Sequence, residues 1–225
     1  MPSIRHHWPE TLPTAEAVEQ LIAALTSSRE VRPVVTRSGH RARGKFPSFK
    51  GRRTRFESLV EEDALRVLEV AASVLSIQTH PWVLALRDQD GELFHYTPDC
   101  FITHRDSAML IEVKGDWLLK RRPSVDSLLR TFRALDEQGV PIALLTESDV
   151  RSAGLQDELK ELLRLRPVGG RNRTGIDASL WDVLGGSSPT ADLLRRWRDA
   201  QRECDSLLER AMRRGPDEAV QVVAE

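Results

Sequence analysis

The stretch from Tyr96 to Lys114 reads Y-T-P-D-C-F-I-T-H-R-D-S-A-M-L-I-E-V-K. Pro98-Asp99 stands ahead of one strand-like run, and Glu112-Val113-Lys114 closes a second. Side chains alternate faces along a strand, so Glu112 and Lys114 share a face while Val113 turns into the core. Asp99 lies thirteen residues before Glu112, across a turn around His104 to Ser107. An antiparallel hairpin centred there brings Asp99 beside Glu112.

Two carboxylates that close repel each other unless a cation lies between them. Mg2+ takes hard oxygen ligands and keeps several waters. Asp99, Glu112 and the backbone carbonyl of Val113 supply three such oxygens. Lys114 beside them can orient an attacking water and stabilise charge on a phosphate. A helix expected from Glu57 to Val70 offers a further carboxylate, with Glu61 the first choice and Glu57 and Glu62 as competitors. Glu57 and Glu61 share a helical face at i, i+4, so periodicity does not separate them. The bare pattern is degenerate. Its plain alternative is a surface hairpin with solvated ion pairs worth about 0–1 kcal/mol.

The rest of the chain reads as a mixed sheet with helices on both sides. Apolar residues at Val18, Leu21, Ile22 and Leu25 mark a helix over Thr14–Thr26. Strands are expected at Val74–Gln78, Trp82–Leu86, Leu93–Thr103, Ala108–Lys114 and Val140–Thr146, and helices at Ser124–Gln138 and Ser148–Leu165. A linker follows at 167–190, interrupted by the apolar segment Ile176–Leu184, and a charged helix spans Thr190–Arg214. The division is therefore an N-terminal helical segment (1–30), a basic arm (31–56), a catalytic core (57–166) and a linker with a helical C-terminal appendage (167–225).

The 225 residues carry 33 basic and 34 acidic side chains, a net charge of −1, so only charge distribution bears on nucleic acid. From Val31 to Phe56 there is no acidic residue. Arg37, Arg41, Arg43, Lys45, Lys50, Arg52, Arg53 and Arg55 lie in that window, broken by Gly39, Gly44, Pro47 and Gly51. An extended arm whose cations track a DNA backbone is the reading, against a solvated loop. Lys120, Arg121 and Arg122 are a second phosphate contact or a polar loop. Cys100 and Cys204 are too few and too far apart for a disulfide framework. The six histidines lack zinc spacing. No apolar run approaches the length of a membrane helix, and Met1 to Trp8 lacks the apolar stretch of a signal peptide. A cytoplasmic protein with no membrane partner is expected.

The runs F-E-S-L-V-E-E-D-A-L-R-V-L-E, S-I-Q-T-H-P, Y-T-P-D-C and L-I-E-V-K, in that order, resemble the TnsA-type endonuclease subunit of heteromeric transposases, a branch of the PD-(D/E)XK nucleases. The upstream V-T-R-S-G-H-R-A-R-G-K-F-P-S-F-K-G-R-R resembles the basic lead-in of the shorter members. The likeness covers about residues 34–150. It implies a restriction-endonuclease-like α/β fold and Mg2+-dependent cleavage of one DNA strand at each transposon end, with Mn2+ as the alternative ion. It also implies a DDE-type transposase partner and a bacterial location at the nucleoid. By motif, the helix glutamate falls on Glu61, the metal aspartate on Asp99, the next ligand on Glu112 and the catalytic lysine on Lys114. The family's Q-P pair departs here to Gln78-Thr79-His80-Pro81. Larger members carry a C-terminal domain that contacts an ATPase regulator; the residues after 165 are fewer and more helical. Two rival functions use the same residues or silence them: a stand-alone nuclease of defence or repair, and a catalytically inactive DNA-binding module.

Overall fold

A computed structural model describes residues 13–29, 42–105, 107–165 and 190–214. Arg37, Arg41, the segment Ile176–Leu184 and most of the 167–190 linker lie outside the described residues. The core is a four-stranded mixed sheet in the order β3 (Val74–Thr79), β6 (Cys100–His104), β7 (Ser107–Lys114), β8 (Ile142–Thr146). The first two pairings are antiparallel and β7–β8 is parallel.

Strand alternation sorts the apolar residues onto two faces. Cys100, Ile102, Met109, Ile111, Val113, Ala143 and Leu145 face one hydrophobic cluster. Phe101, Ala108, Leu110, Ile142 and Leu144 face the other. Helices α2 (Leu59–Val70), α6 (Leu155–Leu165) and α7 (Ala191–Arg213) close the first side. Helices α1 (Ala15–Leu25), the short α3 (Asp116–Leu119) and α4 (Arg122–Glu137) close the second, with the separate hairpin of β4 (Leu84–Arg87) and β5 (Leu93–Tyr96). Each fully buried Leu, Ile or Phe in these layers contributes about 1.5–3 kcal/mol, so both faces of the sheet are committed. The α/β class and the mixed sheet flanked by helices are as expected.

Three local departures matter. The run Leu93–Thr103 is two strands, because the chain leaves the small sheet at Thr97 and joins the main sheet at Cys100. Pro98 in the break has no amide hydrogen to give a ladder. The expected helix from Ser148 breaks into α5 (Glu147–Val150), a 3-10 turn at Ser152–Gly154 and α6, with Ala153 at φ 42° and Gly154 at φ 78°. The described half of the basic arm is folded, not free: β1 (Gly44–Lys45) pairs with β2 (Arg55–Phe56), and Phe46 and Phe56 enter the first cluster.

The C-terminal helix is likewise part of the body. Trp197, Ala200, Cys204, Leu207, Leu208 and Ala211 are buried, and Arg196 reaches Glu158 and Glu161 on α6 at 2.7–2.8 Å. Among the described residues no helix is long and apolar enough to cross a membrane.

Candidate metal centre

The end of β7 gathers the charges. The pairing Cys100–Ile111 sets Asp99 opposite Glu112 one residue further on. Asp99 Oδ2 accepts a hydrogen bond from the Val113 amide at 2.8 Å and lies 3.8 Å from Lys114 Nζ. Glu112 is buried, with one oxygen accepting from the Tyr96 hydroxyl at 2.5 Å and the other from the Lys114 ammonium. Lys114 also donates to the Val113 carbonyl at 3.3 Å.

Burial drives the proton affinities here. It raises the Asp99 carboxyl to about 6, with Lys114 opposing and Glu61 reinforcing. Burial and the neighbouring Asp99 raise Glu112. Burial and Glu112 keep the Tyr96 phenol protonated as a donor. Burial alone would lower Lys114, but Glu112 and Asp99 outweigh it and hold the ammonium above its usual range. The two carboxylates therefore favour the charged form of Lys114.

The structure separates the three helix carboxylates that periodicity left together. The helix begins at Leu59, with Ser58 as its N-cap, so Glu57 lies before it and not on its face. Glu57 pairs with Arg43 at 3.7 Å, and Glu62 pairs with Arg66 at 2.6 Å. Glu61 occupies the third helical position, where its amide donates to the Ser58 hydroxyl at 3.1 Å. Its carboxylate accepts from the Ser58 hydroxyl at 3.0 Å and the Glu57 amide at 2.7 Å. This is a variant of the reciprocal capping box. It aims Glu61 at the end of the sheet, where burial raises its proton affinity.

His80 is the residue that sequence reasoning passed over. Its Nε2 lies 3.6 Å from Glu61 Oε2 and 3.9 Å from Asp99 Oδ1. Ligand atoms of Glu61, His80 and Asp99 all fall within 4.8 Å of one another. The signal was available in the strand pairing. Thr79, the last residue of β3, pairs with Cys100, so the residue after it must meet Asp99. The His80 amide accordingly donates to the Asp99 carbonyl at 3.0 Å. Gln78, one position before Thr79, is exposed and outside the cleft.

These groups open into a cleft of about 810 Å³. Glu57, Glu61, His80, Asp99, Val113 and Lys114 lie along it, and Trp117, 56% exposed, stands at its wall with Arg121 over its ring. Of the expected DNA-contacting cations, Lys45, Arg52, Arg53 and Arg55 are exposed on the β1–β2 hairpin, and Arg43 is half-buried near Glu57. Lys50 is a correction. It is 8% exposed and donates inward to the carbonyls of Leu68, at 3.0 Å, and Ala71 at the end of α2. It has no surface to offer a phosphate.

Glu61, Asp99 and Glu112 set three carboxylates around the single Lys114 ammonium. Hard oxygens with one imidazole suit Mg2+ or Mn2+, and the uncompensated negative charge is what a divalent ion would balance. Glu61 and Asp99 face the shared space with His80, whereas both Glu112 oxygens are engaged by Tyr96 and Lys114. No protein-family model matches the chain, and no curated protein matches it.

Proposed function

We propose that the protein is a divalent-metal-dependent DNA endonuclease with a restriction-endonuclease-like fold, the cleavage subunit of a TnsA-like transposase acting at transposon ends beside a DDE-type partner. The observation that carries this reading is the convergence of Glu61, Asp99 and Lys114 on one open cleft at the end of β7, with the buried Glu112 paired to Lys114. A purely structural cluster has no need to leave three acids around one base, because unpaired buried charge is costly.

A bound Mg2+ or Mn2+ would supply Lewis-acid activation of the scissile phosphate and of the attacking water. Asp99 and Glu61 would hold the ion, and Glu112 and the Val113 carbonyl stand beside them to complete the oxygen set. The Lys114 ammonium, beside Asp99 and Glu112, would act electrostatically, orienting the nucleophile and stabilising charge gathering on the phosphate. Tyr96 fixes the Glu112 carboxylate from behind. The exposed cations of the β1–β2 hairpin suit a DNA backbone, since that hairpin leads into α2 at the cleft.

The test is nicking of transposon-end duplex in Mg2+ or Mn2+ with the partner transposase present, comparing wild type with Asp99→Ala and Lys114→Ala. Loss in both variants supports the reading, and equal cleavage refutes it. Full cleavage by the isolated chain would move the assignment to a stand-alone nuclease of the same chemistry. Salt-sensitive DNA binding without metal binding would leave only the binding module.

A further inference from the structure

We infer that His80 is a direct ligand of the divalent ion, which makes this a mixed nitrogen–oxygen site selective for Mn2+ over Mg2+. The inference rests on the reading above only in requiring that the cleft hold a divalent cation.

Three independent features carry it. First, the His80 ring is not explained by hydrogen bonding. Its Nε2 faces Glu61 Oε2 at 3.6 Å and Asp99 Oδ1 at 3.9 Å, both beyond hydrogen-bond length. Its Nδ1 is buried with no partner. An imidazole so enclosed, with its side chain 11% exposed, loses solvation without a hydrogen bond to replace it. Second, the backbone at His80 sits at φ 46°, a left-handed conformation costly for a side chain of this kind. The hydrogen bond from its backbone amide to the Asp99 carbonyl holds it there. Third, the two Asp99 oxygens divide their labour. Oδ2 takes the Val113 amide and faces Lys114, and Oδ1 faces His80. The ammonium and the imidazole therefore address opposite sides of one carboxylate. Lys114 supplies charge to the phosphate side, and His80 supplies a nitrogen lone pair to the ion side.

Mg2+ favours oxygen donors, whereas imidazole is a good donor to transition ions, so the nitrogen sets the preference. The experiment uses the full chain with Mn2+ as the probe. Pulsed electron paramagnetic resonance of bound Mn2+ should show imidazole 14N coupling that converts on 15N-histidine labelling. That readout needs neither activity nor a mutant that folds. His80→Asn should abolish the coupling and raise the Mn2+ dissociation constant by about tenfold or more. Asn tolerates the left-handed backbone, which keeps the fold. His95, which also lines the cleft, is the control: His95→Asn should leave the coupling intact. Mn2+ bound through Asp99 without nitrogen coupling overturns the His80 assignment and leaves the nuclease reading standing, as does coupling that survives His80→Asn. Failure of wild type to bind either Mn2+ or Mg2+ overturns both.

Discussion

Lys50 and Lys114 are both drawn out of solvent, and their surroundings move their protons in opposite directions. Lys50 meets two backbone carbonyls where α2 ends, a favourable place for a cation against the helix dipole. Carbonyl dipoles do not fully replace water. Burial therefore dominates and lowers its pKa to about 8, with Glu69 and Asp205 only partly opposing. Lys114 meets carboxylates of Glu112 and Asp99, which outweigh burial and hold its proton more tightly. The sign of the shift follows the charge of the partner, not the depth. One lysine is a structural cap held by carbonyl dipoles; the other belongs to a cluster of carboxylates.

Cleavage should separate them most. Lys114→Met should lower the rate of strand cleavage by about a thousandfold, the scale of losing a preorganised charge at a reacting centre. Lys50→Met should leave the rate unchanged below its melting temperature. A Lys50→Met chain that stays folded and loses cleavage would break the comparison.

Stability should reverse the order. Lys50→Met strands the Leu68 and Ala71 carbonyls in the core and should cost about 2–3 kcal/mol by urea denaturation. Asp99→Asn relieves like-charge crowding with Glu61 and Glu112 while its side-chain oxygen can still accept from the Val113 amide. It should stabilise the metal-free protein by about 1 kcal/mol and abolish the thermal shift given by Mn2+. A variant that melts lower than wild type without metal would show that Asp99 is structural.

The smallest effects are in pH. Between pH 3.8 and about 6, Asp99 is protonated in the folded chain and ionised in the unfolded one. The folded state binds more protons there, so its contribution to metal-free stability falls as pH rises. Metal affinity should rise through the same window as protons stop competing. Between about 8 and 10.5 the unfolded chain holds the extra proton at Lys50, so stability should rise with pH and the rise should vanish in Lys50→Met. Denaturation series on wild type and the two variants separate the slopes; equal slopes would remove Lys50 as their source.

Much of the frame was legible. Strand alternation set Glu112 and Lys114 against Val113, and the hairpin register put Asp99 opposite Glu112, because both are local consequences of backbone geometry. The last helix is legible too: the span expected at Thr190–Arg214 forms at Ala191–Arg213. The break at Thr97–Asp99 was missed although Pro98 lies in it, because strand-like residues on either side do not say which sheet each part joins. The helix start at Leu59 was missed by two residues, which was enough to misplace Glu57.

By itself, then, the sequence determined the α/β class, the alternating faces of β7 and the chemical set of Asp99, Glu112 and Lys114. Those follow from periodicity and residue chemistry over a few positions. Only the tertiary structure decided that Glu61, and not Glu57 or Glu62, faces Asp99, that His80 joins them, and that Lys50 turns inward. Each of these depends on where a chain end meets a distant neighbour. Helix capping, strand pairing between positions as distant as Thr79 and Cys100 and the solvation of a buried charge settle such meetings, and none of them is a property of a short run of sequence.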